Sequence, residues 1–191
     1  MSHLIAKITD EDLGLPKNDL NDPIIRYGAR GIVFNDDGKV VVFHKKNKNE
    51  YKLPGGGIEE NETGKEAFRR EVMEEAGCKI SNIKKIGITI EEKGQTNFRQ
   101  LSEVFISRLI NDTHSLHLTK KERDEGGEML WLPLEDAYKK VSSSIDKVIG
   151  SKYDDKYRTL FMVKRDAMIL EYVCQLQKNK VHSKLNKKRI K

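Results

Sequence analysis

The stretch GGIEENETGKEAFRREVMEEAGC, residues Gly56–Cys78, decides how the rest of the chain is read. Thr63 and Glu66 stand in the S/T-x-x-E spacing of a capping box, and Gly77 supplies a left-handed stop, so a helix of roughly four turns is predicted between them. Within it Glu71, Glu74 and Glu75 sit at i, i+3 and i+4 and share one face, while Phe68, Val72 and Ala76 form a separate apolar stripe. One side packs and its neighbour is acid. Like charges at this spacing cost a helix roughly 0.2–0.5 kcal/mol per pair unless a cation relieves them. Mg²⁺, or Mn²⁺ in its place, suits such a site, because hard cations take oxygen donors and Mg²⁺ binds through one or two carboxylates together with substrate phosphates. A solvated acidic helix face is the plain alternative.

The segment resembles the signature of the Nudix (MutT-like) hydrolases, G-x5-E-x7-R-E-U-x-E-E-x-G-U with U apolar. Gly56, Glu62, Arg70, Glu71, Glu74, Glu75 and Gly77 occupy all seven fixed positions. At roughly 6% usage per residue type, seven coincidences arise by chance on the order of 10⁻⁹ to 10⁻⁸ per starting position. Val72 fills the first apolar position. Cys78 fills the second, a mild departure, since a buried cysteine behaves as a small hydrophobe.

The resemblance implies an α/β fold, the Nudix-type α/β/α sandwich with a mixed β-sheet, and hydrolysis of a pyrophosphate bond in a nucleoside diphosphate linked to another moiety X. By position, Glu71, Glu74 and Glu75 are implied metal ligands, the Gly56 carbonyl joins them, Glu62 is a support or secondary ligand, and Arg70 orients the cluster. A surface ion pair between Arg70 and Glu74 at i+4 is the structural alternative for Arg70. Gly55, Gly56 and Gly57 permit close backbone approach and are consistent with a phosphate-facing loop, although a plain strand-to-helix turn uses the same residues. Lys45, Lys46, Lys48 and Lys52 flank that loop, as phosphate contacts or as solvated rim lysines.

The general base has two candidate sources. Glu71 belongs to the box; Glu125 precedes paired glycines in Arg123-Asp124-Glu125-Gly126-Gly127-Glu128, the kind of loop that folds over a site.

The chain has 191 residues, 37% hydrophobic and 35% charged, enough for one soluble domain with a proper core. Cys78 and Cys174 lack metal-ligand spacing, the first residues lack the apolar core of a signal peptide, and no run approaches the ~18 apolar residues of a membrane span. A cytoplasmic protein without membrane contact, monomeric or homodimeric, is the expectation. The net charge of +6 belongs to the end of the chain: residues 178–191 hold seven basic side chains and no acid, leaving the remainder at −1. That end reads as a flexible basic tail, with RNA binding as the alternative.

Residues 1–25 read as an extended arm and residues 26–177 as a single domain. Tyr27–Phe34 and Lys39–Lys46 around Asn35-Asp36-Asp37-Gly38 predict a hairpin. The pattern then predicts a short strand at YKL, strands through Ile86–Ile90 and Leu101–Ile110, a long surface loop over residues 111–127, a strand at Met129–Leu132, and helices from Leu134 and over residues 156–177. Subfamily patterns for particular substrates are missing: the stretch Lys93-Gly94-Gln95-Thr96 carries neither the proline of ADP-ribose hydrolases nor the tyrosine of dinucleoside polyphosphate hydrolases. A nucleoside triphosphate, in particular an oxidised one, is the default substrate; ADP-ribose or a dinucleoside polyphosphate, or a nucleotide-sensing or RNA-binding domain without turnover, are the alternatives.

Overall fold

The computed structural model describes residues 2–113, 120–150 and 155–189. Its frame is a mixed sheet of strands β1 (Leu4–Ile8), β2 (Ile24–Phe34), β3 (Val40–Lys45), β4 (Glu50–Lys52), β5 (Gly55–Gly57), β6 (Cys78–Lys93), β7 (Phe98–Asp112) and β8 (Gly127–Leu132). The order is β1-β6-β7-β2-β3-β4, with β5 added beside β2 and β8 beside β3. The pairs β1/β6 and β7/β2 are parallel, and the remainder antiparallel. Helices α1 (Gly64–Ala76), α2 (Lys120–Asp124), α3 (Leu134–Gly150) and α4 (Lys156–Arg189) complete the chain.

The predicted hairpin of β2 and β3 barely closes. Beyond the Asn35–Gly38 turn the two strands share the single pair Phe34↔Val40 and then diverge. The chain returning through β4 and β5 fills the gap: β4 pairs with Phe43–Lys45 and β5 with Gly28–Arg30. The glycine triplet is therefore a sheet strand in its own right, laid against β2, and it delivers the chain directly into α1.

α1 forms for the reasons its sequence gives. The Thr63 side chain accepts from Glu66 N–H at 3.3 Å while the Glu66 carboxylate takes the Thr63 N–H at 2.8 Å, and Gly77, at φ 61°, donates back to Met73 O. Its apolar stripe, Phe68, Val72 and Ala76, is buried on one sheet face with Ala29, Val33 and Phe105. Cys78 joins that core; burial pushes its thiol up to about 12, so it acts as a packed apolar group. The opposite face carries Ile32, Val40, Val42 and Val104, covered by α3 and α4 through Ala137, Val141, Val163, Leu170 and Cys174. Two faces covered by helices make the α/β/α sandwich.

Three expectations change. Residues 4–8 of the arm are extended but belong to the sheet, paired in parallel with β6, and Tyr157 Oη at the start of α4 donates to the buried Asp10 at 2.6 Å, which pins the chain just beyond β1. The segment from Lys178 continues α4 as helix to Arg189 where a flexible tail is expected, with Lys178 Nζ 3.0 Å from Glu135 on α3. Of the long loop over residues 111–127, residues 114–119 lie outside the described residues, and residues 120–124 form α2.

Candidate active site

The geometry of the site starts from β5. In the antiparallel pairing of β2 and β5, Ile58 N–H bonds Tyr27 O and Gly31 N–H bonds Pro54 O, so the alternation makes Ala29 and Gly56 the hydrogen-bonded pair between them. The Gly56 carbonyl thus points into the sheet, toward Ala29 N–H. Gly55 and Gly57 turn their polar groups the other way: Gly55 N–H donates to Glu75 Oε2 at 2.9 Å, and Gly57 O accepts from Arg70 Nη2 at 3.0 Å. The carbonyl beside the acidic cluster is accordingly that of Gly55, not of Gly56 as the signature position implies. Gly56 serves differently. A Cβ built there would stand 2.0 Å from Glu71 Oε1, so the glycine leaves the space into which the Glu71 carboxylate packs.

The face opposite Glu71 is arginine. A Cβ on Gly55 would lie 3.0 Å from Arg30 Cδ and one on Gly57 2.6 Å from Arg26 Nη2. Gly55 also sits at φ +136° with Ala29 O 2.2 Å from that virtual Cβ, a conformation and an approach that only glycine fits. The strand is a partition one residue thick, with box acids against one side and two guanidinium groups against the other.

Arg70 gathers the acids. It holds Glu62 through Nη2 at 2.7 Å and Nε at 3.3 Å, Glu71 at 2.9 Å and Glu74 at 3.4 Å, so the i+4 pair exists as one contact of several. Its guanidinium is raised, first by the Glu62 hydrogen bond and also by Glu71. Glu62 spends its oxygens on Arg70 and on the Glu59 N–H at 2.7 Å, and Arg70 holds its carboxyl below the usual range. That is a support for Arg70 and not a free ligand. Glu75 is buried, bound by Lys52 Nζ at 2.7 Å and by Gly55 N–H. Glu71 is pushed up by burial and by the neighbouring Glu75, against the pull of Arg70. Glu74 is the exposed member, about half open to solvent.

A divalent cation fits these donors in a particular way. Among the described residues no three acidic, histidine or cysteine side chains converge into a closed cage. The arrangement offers instead two adjacent carboxylates, Glu71 and Glu75, with Glu74 at the rim and the Gly55 carbonyl alongside. One or two carboxylates with water and phosphate oxygens completing the shell is the donor set Mg²⁺ takes. The raised Glu71 and the Lys52 ammonium resting on Glu75 mark where positive charge is needed.

Glu125 is not over this site. It is buried beneath the β3–β4 turn, 2.6 Å from Lys48 Nζ and 3.0 Å from Lys45 Nζ, and its main-chain carbonyl accepts from Asn47 N–H. Burial raises its carboxyl, but the two lysines more than offset that and hold it low. A carboxylate clamped by two ammonium groups is a structural anchor and a poor proton acceptor. The glycines after it serve the turn into β8. Of the flanking lysines, Lys45, Lys46 and Lys48 pair with Glu50, Glu128 and Glu125, and Lys52 alone reaches the box.

Sequence reasoning missed the arginines. Arg30 lies inside the run read as the strand Tyr27–Phe34 and Arg26 just before it, while Arg158 and Arg165 lie on α4; only the divergence of β2 and β3 brings Arg26 and Arg30 to the glycines, and the two α4 arginines line a cavity with them. It also missed Glu103 on β7, aligned with Ala29 and through it with Gly56, its carboxylate held by Lys85 and packed against Gly64.

The model of the NUDIX domain matches residues 25–150, most of the chain. The chain belongs to the NUDIX family. Among curated relatives, an RNA pyrophosphohydrolase of Halorhodospira halophila is 29% identical over 113 residues, covering 53% of this chain and 62% of that protein. A MutT-like protein of Streptomyces ambofaciens is 29% identical over 65 residues, covering 34% of this chain and 42% of its own length. The chain thus spans less than two thirds of each of these relatives. A structure solved in an analysis of MutT from Aliivibrio salmonicida and Vibrio cholerae aligns over 58% of this chain and 80% of that one, at 18% identity and a TM-score of 0.43. No described helix is long and apolar enough to cross a membrane.

Proposed function

We propose that this NUDIX-family chain is a Mg²⁺- or Mn²⁺-dependent pyrophosphohydrolase acting on a nucleoside diphosphate linked to X, with nucleoside triphosphates as its leading substrate class. The observation that carries the reading is the glycine partition, with Glu71 and Glu75 against one side of β5 and Arg26 and Arg30 against the other. A phosphate chain lying across three side-chain-free residues meets carboxylates at one phosphate and guanidiniums at another within one short span. Both are what phosphoryl transfer to water requires, since its catalysis is mostly positioning and charge stabilisation.

The bound cation would neutralise phosphate oxygens and make an attacking water easier to deprotonate. Glu75, Glu74 and the Gly55 carbonyl are the groups to hold it. Glu71 is the proton acceptor: its carboxyl is raised by burial and by Glu75, and its position is fixed by Arg70 and by the space at Gly56, whereas Glu125 is clamped away from the site. Arg70, tied to Glu62 and Gly57 O, orients the cluster without touching substrate.

The relative named an RNA pyrophosphohydrolase favours a second reading within the same chemistry, in which X is an RNA chain and the reacting group is a 5′-triphosphate. An assay of phosphate and pyrophosphate release decides the matter. Nucleoside triphosphates, 5′-triphosphorylated RNA, ADP-ribose and a dinucleoside polyphosphate are compared with Mg²⁺, with Mn²⁺ and with EDTA. Metal-dependent release from at least one of them, lost in Glu75→Gln, is the expected result; no turnover of any diphosphate by the folded protein leaves the nucleotide-sensing alternative.

A further inference from the structure

On the face of the sheet away from α1, a cavity of about 270 Å³ lies between β2, β6 and β7 and the first turns of α4. Among the described residues six basic side chains and two acidic ones line it, and their pairing is uneven. Lys45 is held by Glu50 and Glu125; Lys93 and Arg165 are held by Glu91, with Asp166 a further partner of Arg165. Glu91 is thereby spent on its own neighbours, and Asp155 caps α4 by accepting from Arg158 N–H. Arg26, Arg30 and Arg158 remain with no carboxylate partner among the described residues. Arg30 reaches only the Leu53 carbonyl, at 3.4 Å, and is part-buried beside Arg165.

Unpaired guanidiniums sharing a partly enclosed pocket repel one another and lose hydration, a cost that an anion removes. Guanidinium groups bind phosphate through paired N–H donors, better than any other side chain. The floor is suited to the same purpose. Gln100, itself buried, lines the pocket, and two residues along β7 the buried Ser102 hydroxyl, beside Gly28 like the Gln100 amide, has no partner among the described residues. Among the described residues no aromatic ring lines this cavity, and its lining favours charge over a stacked base. Its position fixes what that charge belongs to. Arg26 and Arg30 contact Gly57 and Gly55 from this side, so the pocket begins where the box cluster ends, one backbone thickness away.

We infer that this pocket is an anion subsite for a phosphate group of the substrate outside the scissile bond, and that Arg26, Arg30 and Arg158 select substrates carrying such a group, nucleoside triphosphates or diphosphates with a phosphorylated X, over those with a neutral X. The inference rests on the hydrolase reading for its kinetic consequence but not for binding. Tripolyphosphate is the probe, titrated calorimetrically into the full chain in EDTA at low salt. Arg26 and Arg158 are exposed, so their replacement leaves the fold in place. The wild-type chain is expected to bind, with affinity falling steeply as salt rises, and the double variant Arg26→Gln/Arg158→Gln to lose at least tenfold. Absence of wild-type binding, or equal affinity in the double variant, overturns the subsite whatever the enzyme hydrolyses.

Kinetics separates the two ideas. The ratio of kcat/KM for a nucleoside triphosphate over a nucleoside diphosphate sugar is expected to fall at least tenfold in the double variant. Turnover with that ratio unchanged removes the subsite and leaves the hydrolase reading standing. Tripolyphosphate binding that depends on the two arginines, in a chain that hydrolyses nothing, retains the subsite and removes the reading.

Discussion

Replacing Gly56 by alanine tests the partition at its thinnest point. The new methyl group would begin 2.0 Å from Glu71 Oε1 and 2.3 Å from its Cδ. An ordinary contact needs at least 3.4 Å, so the carboxylate must retreat by about 1.4 Å, a displacement large enough to cost on the order of 10²-fold in rate when it moves a reacting group. In free energy that is about 2.7 kcal/mol of transition-state stabilisation. Stability should suffer little. Gly56 does not need a positive φ, and what the methyl meets is the end of a flexible side chain, unlike Gly55, where it would meet the Ala29 carbonyl. The expected outcome is kcat lowered about a hundredfold under saturating Mg²⁺ with a melting temperature within a few degrees of wild type. The assay is phosphate release beside calorimetric melting. A folded Gly56→Ala protein with turnover within twofold of wild type would refute both the space argument and the assignment of Glu71 as the reacting carboxylate.

The same contacts set three other outcomes. Arg70→Ala leaves Glu62, Glu71 and the Gly57 carbonyl without their common donor and is expected to cost about 2–3 kcal/mol of stability together with most activity, read by urea unfolding and by turnover. Glu125→Gln is expected to keep kcat within about threefold but to lose about 1–3 kcal/mol at neutral pH by removing the carboxylate that Lys45 and Lys48 share. Because the folded Glu125 carboxyl lies below its ordinary value of 4.5, its contribution is complete above that pH and fades as pH falls through the folded value, so the melting temperatures of variant and wild type should converge in acid. Truncation after Gln177 removes the last turns of α4 and the exposed Lys178–Glu135 pair, and is expected to leave kcat unchanged in the phosphate-release assay.

The parts of this protein that were legible in its sequence are those whose cause is local. Thr63, Glu66 and Gly77 fix the ends of α1 by hydrogen bonds spanning three or four residues, and Leu160, Val163, Ala167, Leu170 and Cys174 mark the buried side of α4 by their spacing alone. The box carboxylates were legible as a pattern of types. What each side chain touches was not. Glu75 lies on Lys52 and Gly55 N–H because β4 and β5 enter the gap between β2 and β3, a pairing among four consecutive strands that the alternation within any one of them does not encode. Glu125 looked mobile because acids before paired glycines describe a loop; two lysines from a different hairpin, Lys45 and Lys48, make it an anchor. The tail looked disordered because charge excludes a core, but α4 continues as helix past Lys178 to Arg189.

The glycine triplet shows how far spacing reaches and where it stops. As a sequence, Gly55-Gly56-Gly57 states only that side chains are unwelcome, and a turn explains that as well as a phosphate does. In the folded chain each glycine has its own reason: Gly55 for the Ala29 carbonyl and Arg30, Gly56 for Glu71, Gly57 for Arg26. Strand alternation then assigns polar groups that the signature cannot, turning the Gly55 carbonyl toward Glu75 and the Gly56 carbonyl into the sheet. A turn would need none of this; it requires neither an acid on one side nor two arginines on the other. Opposite charges brought to both sides of a bare backbone, at positions where one methyl group would separate them from it, are what a pyrophosphate laid across that backbone requires.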